Sequence, residues 1–212
     1  MKTREKILAT ALQLFNEQGL NQVSAKTIAA HMGISDGNLR YHFRTKQDIV
    51  YGLYITLVEQ LDREFDQYEE EVRLVDVFQS LYFTFVQFTK YRFLLLDFTG
   101  VMRQYPTIRT HYQGLYRVRQ QQFSEVVRKL VDAGIFRQDI GQQQYEHLGV
   151  HFNIISDFWL SHAEILHSED VVDQLPHFTR LTFSLVFPYL TEAGQLAYQS
   201  LRDYPLSRAP LR

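Results

Sequence analysis

Residues 24–46 carry the side chains of this chain whose types and spacing are best suited to contacts with nucleic acid. Asn38 offers an amide that forms two hydrogen bonds with adenine, and Arg40 offers a guanidinium that does the same with guanine. Tyr41 and Lys46 follow at short intervals and are suited to contacts with phosphate oxygens. This set of side chains predicts sequence-specific binding to double-stranded DNA.

Two short helices joined by a glycine turn must position these side chains. Ser24 and Ser35 are good N-cap residues, and Gly33 between them suits a left-handed turn. Leu39 and Phe43 lie four residues apart and point inward, which leaves the polar residues around them on the outer surface. This is the pattern of a helix-turn-helix, whose second helix enters the major groove of DNA.

The same stretch resembles the TetR family of transcription regulators, whose DNA-reading segment ends in an aromatic-His-Phe run followed by a small residue and lysine. At this point the chain reads Tyr41, His42, Phe43, Arg44, Thr45, Lys46. The resemblance covers the first quarter of the chain and includes the first helix, which ends in Asn16, Glu17, Gln18 and Gly19. It implies an all-α fold, with an N-terminal three-helix DNA-binding head followed by a larger helical ligand-binding and dimerisation body.

The resemblance also implies roles for residues of the head. It assigns contacts with base edges to Asp36, Asn38 and Arg40. It assigns phosphate contacts to residues at the start of the first motif helix and just after the second. Arg40 departs from the family pattern, which often has an aromatic residue there, so no operator sequence is carried over. The predicted DNA-binding residues are Lys26, Thr27, Ser35, Asp36, Asn38, Arg40, Tyr41, His42 and Lys46.

The distribution of charge agrees with this division into head and body. Residues 1–50 contain seven Lys or Arg and four acidic residues, giving +3, whereas the rest contain fifteen and twenty, giving −5. A basic head on an acidic body orients the head toward DNA, and its affinity falls with salt. We therefore expect a helix-turn-helix DNA-binding domain at 1–50 and a helical ligand-binding and dimerisation domain at 51–212.

Composition excludes several other classes of site. The chain has no cysteine, so disulfides, thiolate nucleophiles and cysteine zinc sites are unavailable. The longest apolar run, residues 93–96, is far shorter than the roughly 20 residues that cross a bilayer. The first residues do not read as a signal peptide. We expect a cytoplasmic protein without a membrane segment or a cofactor.

An enzyme, such as a helical hydrolase or a metal-dependent oxygenase, is the main alternative class. The sequence contains no phosphate-binding glycine loop, no Gly-x-Ser-x-Gly elbow and no His-Glu-x-x-His motif. The carboxylates of Asp66, Glu69 and Glu70 lie in a charged run that is typical of a solvated face. A structural helical adaptor is the third class of protein considered. An adaptor would not need Asn38 and Arg40 exposed on its surface. The sequence therefore favours a regulator that is not an enzyme.

Hydrophobic periodicity and helix-ending residues predict ten helices and no strand. The fourth predicted helix joins head to body without a break, so it is suited to carry movement from one to the other. The predicted spans are 3–18, 25–32, 36–43, 46–69, 74–89, 91–104, 107–133, 142–167, 171–190 and 192–202.

The body is rich in aromatic residues, with 27 of the chain's 30 Phe, Tyr and Trp lying after residue 50. Core packing is the ordinary use of any single ring, whereas Tyr and His also bring polar tips that suit a pocket. We expect a mostly apolar cavity with a few polar anchors, which binds a small hydrophobic or aromatic molecule. Its predicted lining residues are Tyr82, Tyr105, His111, Tyr112, Tyr116, Phe123, Phe152, Asn153 and Trp159.

Three histidines in the penultimate long helix raise the question of a metal site. His147 and His151 are four residues apart, and His162 follows eleven residues later. Eleven residues rise about 16 Å along a helix, which is too far for all three to bind one ion. We predict no metal site and interpret these residues as polar positions at a dimer seam or at the edge of the core.

A homodimer is expected because one recognition helix reads only a few base pairs, so two heads are needed to read a near-palindrome. We expect the last two long helices of each subunit to form a four-helix interface. The resemblance implies a repressor that ligand binding releases from DNA, although the sequence does not exclude activation. The predicted seam residues are His151, Ile155, Phe158, His162, Phe178, Leu181, Leu185 and Tyr189.

Overall fold

The computed structural model describes residues 2–65, 71–167 and 170–206. These residues form eleven α-helices and one short 3₁₀ helix, and their only β-type contact is an isolated antiparallel bridge between Phe136 and Leu190. The predicted all-α class is confirmed. The helices are α1 (Thr3–Gln18), α2 (Ala25–His31), α3 (Asp36–His42), α4 (Lys46–Phe65), α5 (Leu74–Lys90), α6 (Arg92–Leu96), α7 (Phe98–Gln104), α8 (Pro106–Asp132), α9 (Gln142–Leu166), α10 (Val171–Phe183) and α11 (Glu192–Ser200), with the 3₁₀ helix Ser184–Tyr189 between the last two.

Two predicted helices differ from those observed. The span 91–104 is divided at Asp97, whose backbone angles of φ −120° and ψ 41° are not helical. The short α6 before this break packs against α9. The span 171–190 changes from α10 to the 3₁₀ helix, since Pro188 has no N–H to continue the α-helical pattern. The last part of the fourth predicted helix, 66–69, lies outside the described residues.

The head consists of α1, α2 and α3 packed on the start of α4. Ser24 caps α2 and Ser35 caps α3, each by accepting a hydrogen bond from a backbone N–H three residues later. Gly33, between these helices, has a φ of 66°, the conformation that favours glycine. These caps and this turn are local features, which explains why the sequence predicted them. The buried residues at the centre of the head include Ile7, Ala11, Leu14, Ile28, Leu39 and Ile49.

Aromatic rings fill the core of the body. Trp159 of α9 stacks on Phe85 of α5 at 4.7 Å between ring centroids and also contacts Phe178 of α10 at 5.2 Å. At the far end of α5, Phe78 packs against Phe183 at 4.9 Å. The helices of the body are therefore held at fixed spacing by ring contacts. None of the helices within the described ranges has the length and apolar character needed to span a bilayer.

A glycine permits the close contact between α11 and the turn that follows α8. A Cβ atom placed on Gly194 would lie 2.2 Å from the carbonyl oxygen of Ile135. This oxygen also accepts a hydrogen bond from the backbone N–H of Thr191 at 3.0 Å, so it has little freedom to move. We expect Gly194→Ala to lower the free energy of unfolding by about 1–3 kcal/mol through overpacking.

Gly114 on the exposed side of α8 provides the matched control, because a Cβ placed there meets no other atom within 4 Å. Gly114→Ala should raise the free energy of unfolding by about 0.5–1 kcal/mol, since alanine is the better helix former. Urea denaturation of the two variants measures both effects. Equal stability of the two variants would contradict the close contact at Gly194.

Candidate functional site

The outer surface of α3 carries the predicted base-reading side chains. Leu39 is fully buried, whereas Asn38 and Arg40 on either side of it are exposed. Tyr41 is 85% exposed, which is unusual for so large an aromatic side chain and places it where a partner surface can contact it. The orientation of α3 therefore presents the polar and aromatic residues outward, as the spacing predicted.

Several predicted DNA-binding residues already have structural partners within the head. Ser35 Oγ accepts a hydrogen bond from the backbone N–H of Asn38 at 3.1 Å, and Thr27 Oγ1 lies 2.8 Å from Ser24 Oγ in the cap of α2. Lys26 beside Thr27 is exposed and His42 is half-buried. The two hydroxyls hold helix ends in place, and their contacts with phosphate remain predictions.

Arg40 and Asp36 form an ion pair along one face of α3. Arg40 Nε donates to Asp36 Oδ2 at 2.7 Å, and both side chains are largely exposed to solvent. Exposed pairs of this kind contribute at most about 1 kcal/mol. The guanidinium is therefore available to exchange this carboxylate for a base or a phosphate at little cost.

Lys46 has a structural role that the sequence did not indicate. Its Nζ donates a hydrogen bond to the carbonyl oxygen of Leu20 and lies 5.7 Å from the centre of the Phe15 ring. Burial lowers the pKa of this amine below its usual range. Lys46 thus ties the start of α4 to the loop after α1, and its predicted phosphate contact would have to use its remaining N–H groups.

Asn16 connects the head to the body. Its Nδ2 donates to the carbonyl oxygen of Lys90 at 2.8 Å, and its Oδ1 accepts from the backbone N–H of Phe93 at 3.1 Å. Arg92 also donates to the carbonyl oxygen of Asn16 at 3.1 Å. Both ends of this one amide are therefore used to fix α1 against the junction of α5 and α6.

The predicted ligand-binding residues fall into different environments. Tyr82, Tyr105 and Trp159 are buried, and Trp159 is committed to the ring contacts of the core. Phe123 and Phe152 contact each other at 5.8 Å, between α8 and α9. Tyr116 is partly buried on α8. The remaining three, His111, Tyr112 and Asn153, belong to a polar network.

This polar network runs between α4, α8 and α9. The Tyr54 hydroxyl of α4 and His111 Nδ1 of α8 share a hydrogen bond at 3.0 Å. On the next residue of α8, the Tyr112 hydroxyl donates to Asp157 Oδ2 of α9 at 2.5 Å, and Asn153 Nδ2 donates to the Tyr112 oxygen at 3.5 Å. Polar side chains from three helices thus meet inside the body.

Burial dominates the titration of these groups. It raises the pKa of Asp157 to about 6, although the hydrogen bond from Tyr112 acts in the opposite direction. Burial also raises the pKa of Tyr112 and of Tyr54 well above the usual range, so both hydroxyls remain protonated donors at neutral pH. The network therefore contains one carboxyl group that titrates close to neutrality.

Asp157 and Tyr54 were missed by the sequence-based prediction, although a signal for Asp157 existed. It is the one acidic residue between Glu146 and Glu164, within an otherwise apolar and weakly polar helix. No Lys or Arg lies between Arg137 and Arg180, so no basic neighbour in sequence could compensate it. An isolated acid of this kind among apolar side chains is a candidate for a functional group.

Two surface grooves lie away from the predicted ligand residues. One, of about 740 Å³, is bounded by the start of α5, the end of α8 and α11. The other, of about 430 Å³, lies at the head–body junction between the end of α1 and Asp97. Neither groove is lined by any of the nine residues predicted to contact a ligand.

One residue of the predicted dimer seam was wrong: Phe178 is buried against Trp159 and faces its own subunit. Ile155, Leu185 and Tyr189 are partly buried against the core, and their place in a dimer interface stays a prediction. The exposed side chains of α9 instead recur at intervals of three or four residues from His147. The large apolar side chains exposed on this part of the protein are Ile154, Phe158, Ile165, Leu166, Leu181 and Phe187.

The histidines of α9 stand on this exposed face. His147, His151 and His162 are all exposed. Within the ranges that the structure describes, no three His, Asp or Glu side chains are grouped closely enough to hold a metal ion.

Matches to known proteins cover both the head and the body. Residues 7–51 match the family described as bacterial regulatory proteins, tetR family, and residues 57–198 match the family described as bacterial transcriptional repressor. A TetR-family transcriptional regulator from Marinobacter aquaeolei VT8 has a similar structure, with a TM-score of 0.85 and 28% sequence identity over 94% of this chain and 97% of its own.

Curated relatives match over shorter segments. The HTH-type transcriptional repressor BepR of Brucella suis is 44% identical over 48 residues, 23% of each chain. The HTH-type transcriptional regulator UidR of Escherichia coli is 31% identical over 74 residues, 35% of this chain and 38% of its own. This chain therefore aligns with well under half the length of either relative. Because the repressor family matches well over half of this chain, the chain belongs to the TetR family, whose members are DNA-binding transcriptional regulators and not enzymes.

Proposed function

We infer that this protein is a dimeric repressor that binds a palindromic operator and is released when a small, largely apolar molecule binds its body. The observation that carries this inference is the outer face of α3, where Asn38, Arg40 and Tyr41 are exposed around a buried Leu39. Amide, guanidinium and phenol groups on one helix face suit base edges and phosphates. The DNA-binding domain would comprise residues 1–50 and the ligand-binding domain residues 51–212, in a cytoplasmic protein.

Helix α4 is suited to transmit the ligand signal, because it begins in the head and continues into the body. Two side-chain contacts connect it to α8: the Tyr54–His111 hydrogen bond and the ion pair of Asp62 with Arg119. A ligand that shifts α8 would therefore move α4 and change the spacing of the two heads. Heads that no longer match successive major grooves lose the operator.

The exposed apolar face of α9 and α10 supports the proposed homodimer. Phe158 is 45% exposed and Ile165 79% exposed, and monomeric proteins rarely display several such side chains together. Two copies of α9 and α10 would bury them in a four-helix interface, as predicted, but along Ile154, Phe158, Ile165 and Leu181. The measurement that tests this is the molar mass in solution, for which we expect twice the chain mass of 25.1 kDa.

The function is tested by selection from a pool of random DNA duplexes with the purified protein, at two salt concentrations. We expect enrichment of a near-palindrome with two half-sites about one helical turn apart, and affinity that falls as salt rises. Salt-sensitive binding without any enriched sequence would contradict a sequence-specific repressor. Absence of DNA binding would contradict the proposal altogether.

Arg40→Ala is expected to weaken binding to the selected duplex by about 5- to 150-fold, because a base contact by arginine contributes about 1–3 kcal/mol. The fold should be unaffected, since the exposed Arg40–Asp36 pair contributes at most about 1 kcal/mol. Fluorescence anisotropy with labelled duplex measures the affinity, and circular dichroism checks the fold.

Arg202→Ala removes the same charge from a matched exposed position. Arg202 is exposed and follows Leu201, which lines the groove at the start of α5. The head contacts the opposite end of α5 through Asn16, so Arg202 lies at the end of the body away from the head. We expect this variant to bind DNA as the wild type does. If the two arginine variants lost affinity equally, net charge and not base contact would explain the effect of Arg40.

A further inference from the structure

The body contains a carboxylate for which the described residues provide no cationic partner. Asp157 is largely buried in α9, and none of the ion pairs formed by the described residues includes it. Its one hydrogen bond comes from the Tyr112 hydroxyl. A buried charge is costly unless it is paired or receives several hydrogen bonds. Within the described part of the chain, the carboxylate therefore lacks the counter-charge that buried acids in folded proteins usually have.

The hydrogen bonds around Asp157 all run in one direction. Gln120 Nε2 donates to Asn153 Oδ1 at 3.4 Å, and Asn153 Nδ2 donates to the Tyr112 oxygen at 3.5 Å. Tyr112 then donates to Asp157 Oδ2 at 2.5 Å. This series of hydrogen bonds ends on the Asp157 carboxylate. The carboxylate therefore presents a negatively charged acceptor to a bound molecule.

Aromatic rings contact Tyr112, the donor to this acceptor. Phe98 of α7 contacts Tyr112 at 5.1 Å and Phe158 at 5.9 Å, each with the rings nearly perpendicular. Aromatic faces attract cations, and aromatic side chains are a recurring means of recognising quaternary ammonium groups. Because Phe158 is 45% exposed and belongs to the proposed dimer face, the ring cluster extends from Tyr112 to that face.

We propose that Asp157 anchors a cationic ligand, an alkylammonium or quaternary ammonium compound with an apolar or aromatic substituent, and that Phe98 and Tyr112 contact its apolar part. The proposal rests on the ligand response inferred above and specifies the chemical class of ligand. The cation supplies the missing counter-charge. Binding of the cation is transmitted to the head through α4. His111, next to Tyr112 in sequence, is hydrogen-bonded to Tyr54 of α4.

The test compares phenyltrimethylammonium with tert-butylbenzene, its neutral isostere, by titration calorimetry on the full chain at pH 8. We expect the wild type to bind the cation at least tenfold more tightly than the neutral compound. In Asp157→Asn, the affinity for the cation should fall at least tenfold, and the affinity for tert-butylbenzene should change less than twofold. Failure of the wild type to bind the cation, or equal affinity for it in both proteins, would overturn the proposal.

Two further variants sharpen the result. Asp203→Asn removes an acid from an exposed position near the end of the described chain, and it should leave the affinity for the cation unchanged. Phe98→Leu retains apolar contact without a ring. It should reduce the affinity for the cation severalfold more than the affinity for the neutral isostere. An equal loss with both compounds would show that Phe98 acts by packing and would contradict its proposed role.

Operator binding by the ligand-free proteins separates this proposal from the proposed function. If wild type and Asp157→Asn both bind the selected duplex but take up the cation equally, the cation site alone is refuted. If neither protein binds DNA while binding of the cation still depends on Asp157, the repressor function is refuted and the cation site stands.

Discussion

Replacing Phe15 by alanine is expected to lower the free energy of unfolding by about 3–5 kcal/mol, the usual cost of truncating a buried phenylalanine. The side chain is 1% exposed at the end of α1, and its ring lies 5.1 Å from that of Phe93 in α6. Lys46 lies over the same ring. The cavity would therefore open between the head and the body, where atoms of both lose their contacts. Urea denaturation at pH 7 measures this loss.

Tyr41→Ala is the matched control for the loss of an aromatic side chain in the head. Since Tyr41 is 85% exposed, its removal should change the free energy of unfolding by less than about 0.5 kcal/mol. The same variant should bind DNA more weakly, because the phenol faces the proposed DNA surface. A loss below about 1 kcal/mol for Phe15→Ala would contradict the tight junction between head and body.

Asp157→Asn is expected to stabilise the protein at pH 8 by about 2–3 kcal/mol, although it removes a proposed ligand anchor. Burial raises the pKa of Asp157 from its usual value of 3.8 to about 6 in the folded state. In the unfolded chain this acid ionises at lower pH, so the folded state carries an unfavourable charge at pH 8. Asparagine stays neutral and keeps an oxygen that accepts the hydrogen bond from Tyr112.

The raised pKa of Asp157 in the folded state determines how the stability difference between wild type and Asp157→Asn depends on pH. Below about pH 3 the wild-type carboxyl is protonated in both states, so the two proteins should differ little. As pH rises from 4 through 6, the wild type loses stability relative to the variant, and above about pH 7 the difference is constant. Urea denaturation of both proteins between pH 4 and pH 8 tests this. A difference that does not change with pH would show that Asp157 is not a buried, titrating acid.

A gain in stability on removing Asp157 is typical of a functional residue. Groups positioned for binding often reduce the stability of the free protein, because their full set of partners includes the ligand. If Asp157→Asn gained stability and lost affinity for phenyltrimethylammonium, one residue would account for both results.

The head was predictable from the sequence because its signals are local. Ser24 and Ser35 cap helices through backbone groups three residues away, and Gly33 supplies the turn between them. The buried Leu39 fixed which side of α3 faces outward. The end of α10 could also have been predicted, because Pro188 interrupts the α-helical hydrogen bonds; the predicted span to residue 190 overlooked it.

The predicted seam and pocket depended on contacts that local patterns do not contain. Both faces of α10 carry apolar side chains, so periodicity could not decide that Phe178 faces its own subunit while Leu181 faces outward. Aromatic content likewise could not separate Trp159, which packs in the core, from Tyr112, which binds Asp157. The packing of α5, α9 and α10 made these distinctions.

The sequence by itself determined the all-α class, the helix-turn-helix and the outward display of Asn38, Arg40 and Tyr41, because helix caps, turns and apolar periodicity act within a few residues. Only the tertiary structure decided the hydrogen bond from Lys46 to Leu20, the Asn16 link to the body and the pairing of Tyr112 with Asp157. Those partners are 26, 74 and 45 residues apart in the chain. They meet only after the helices pack, since burial and not sequence spacing brings such polar groups together.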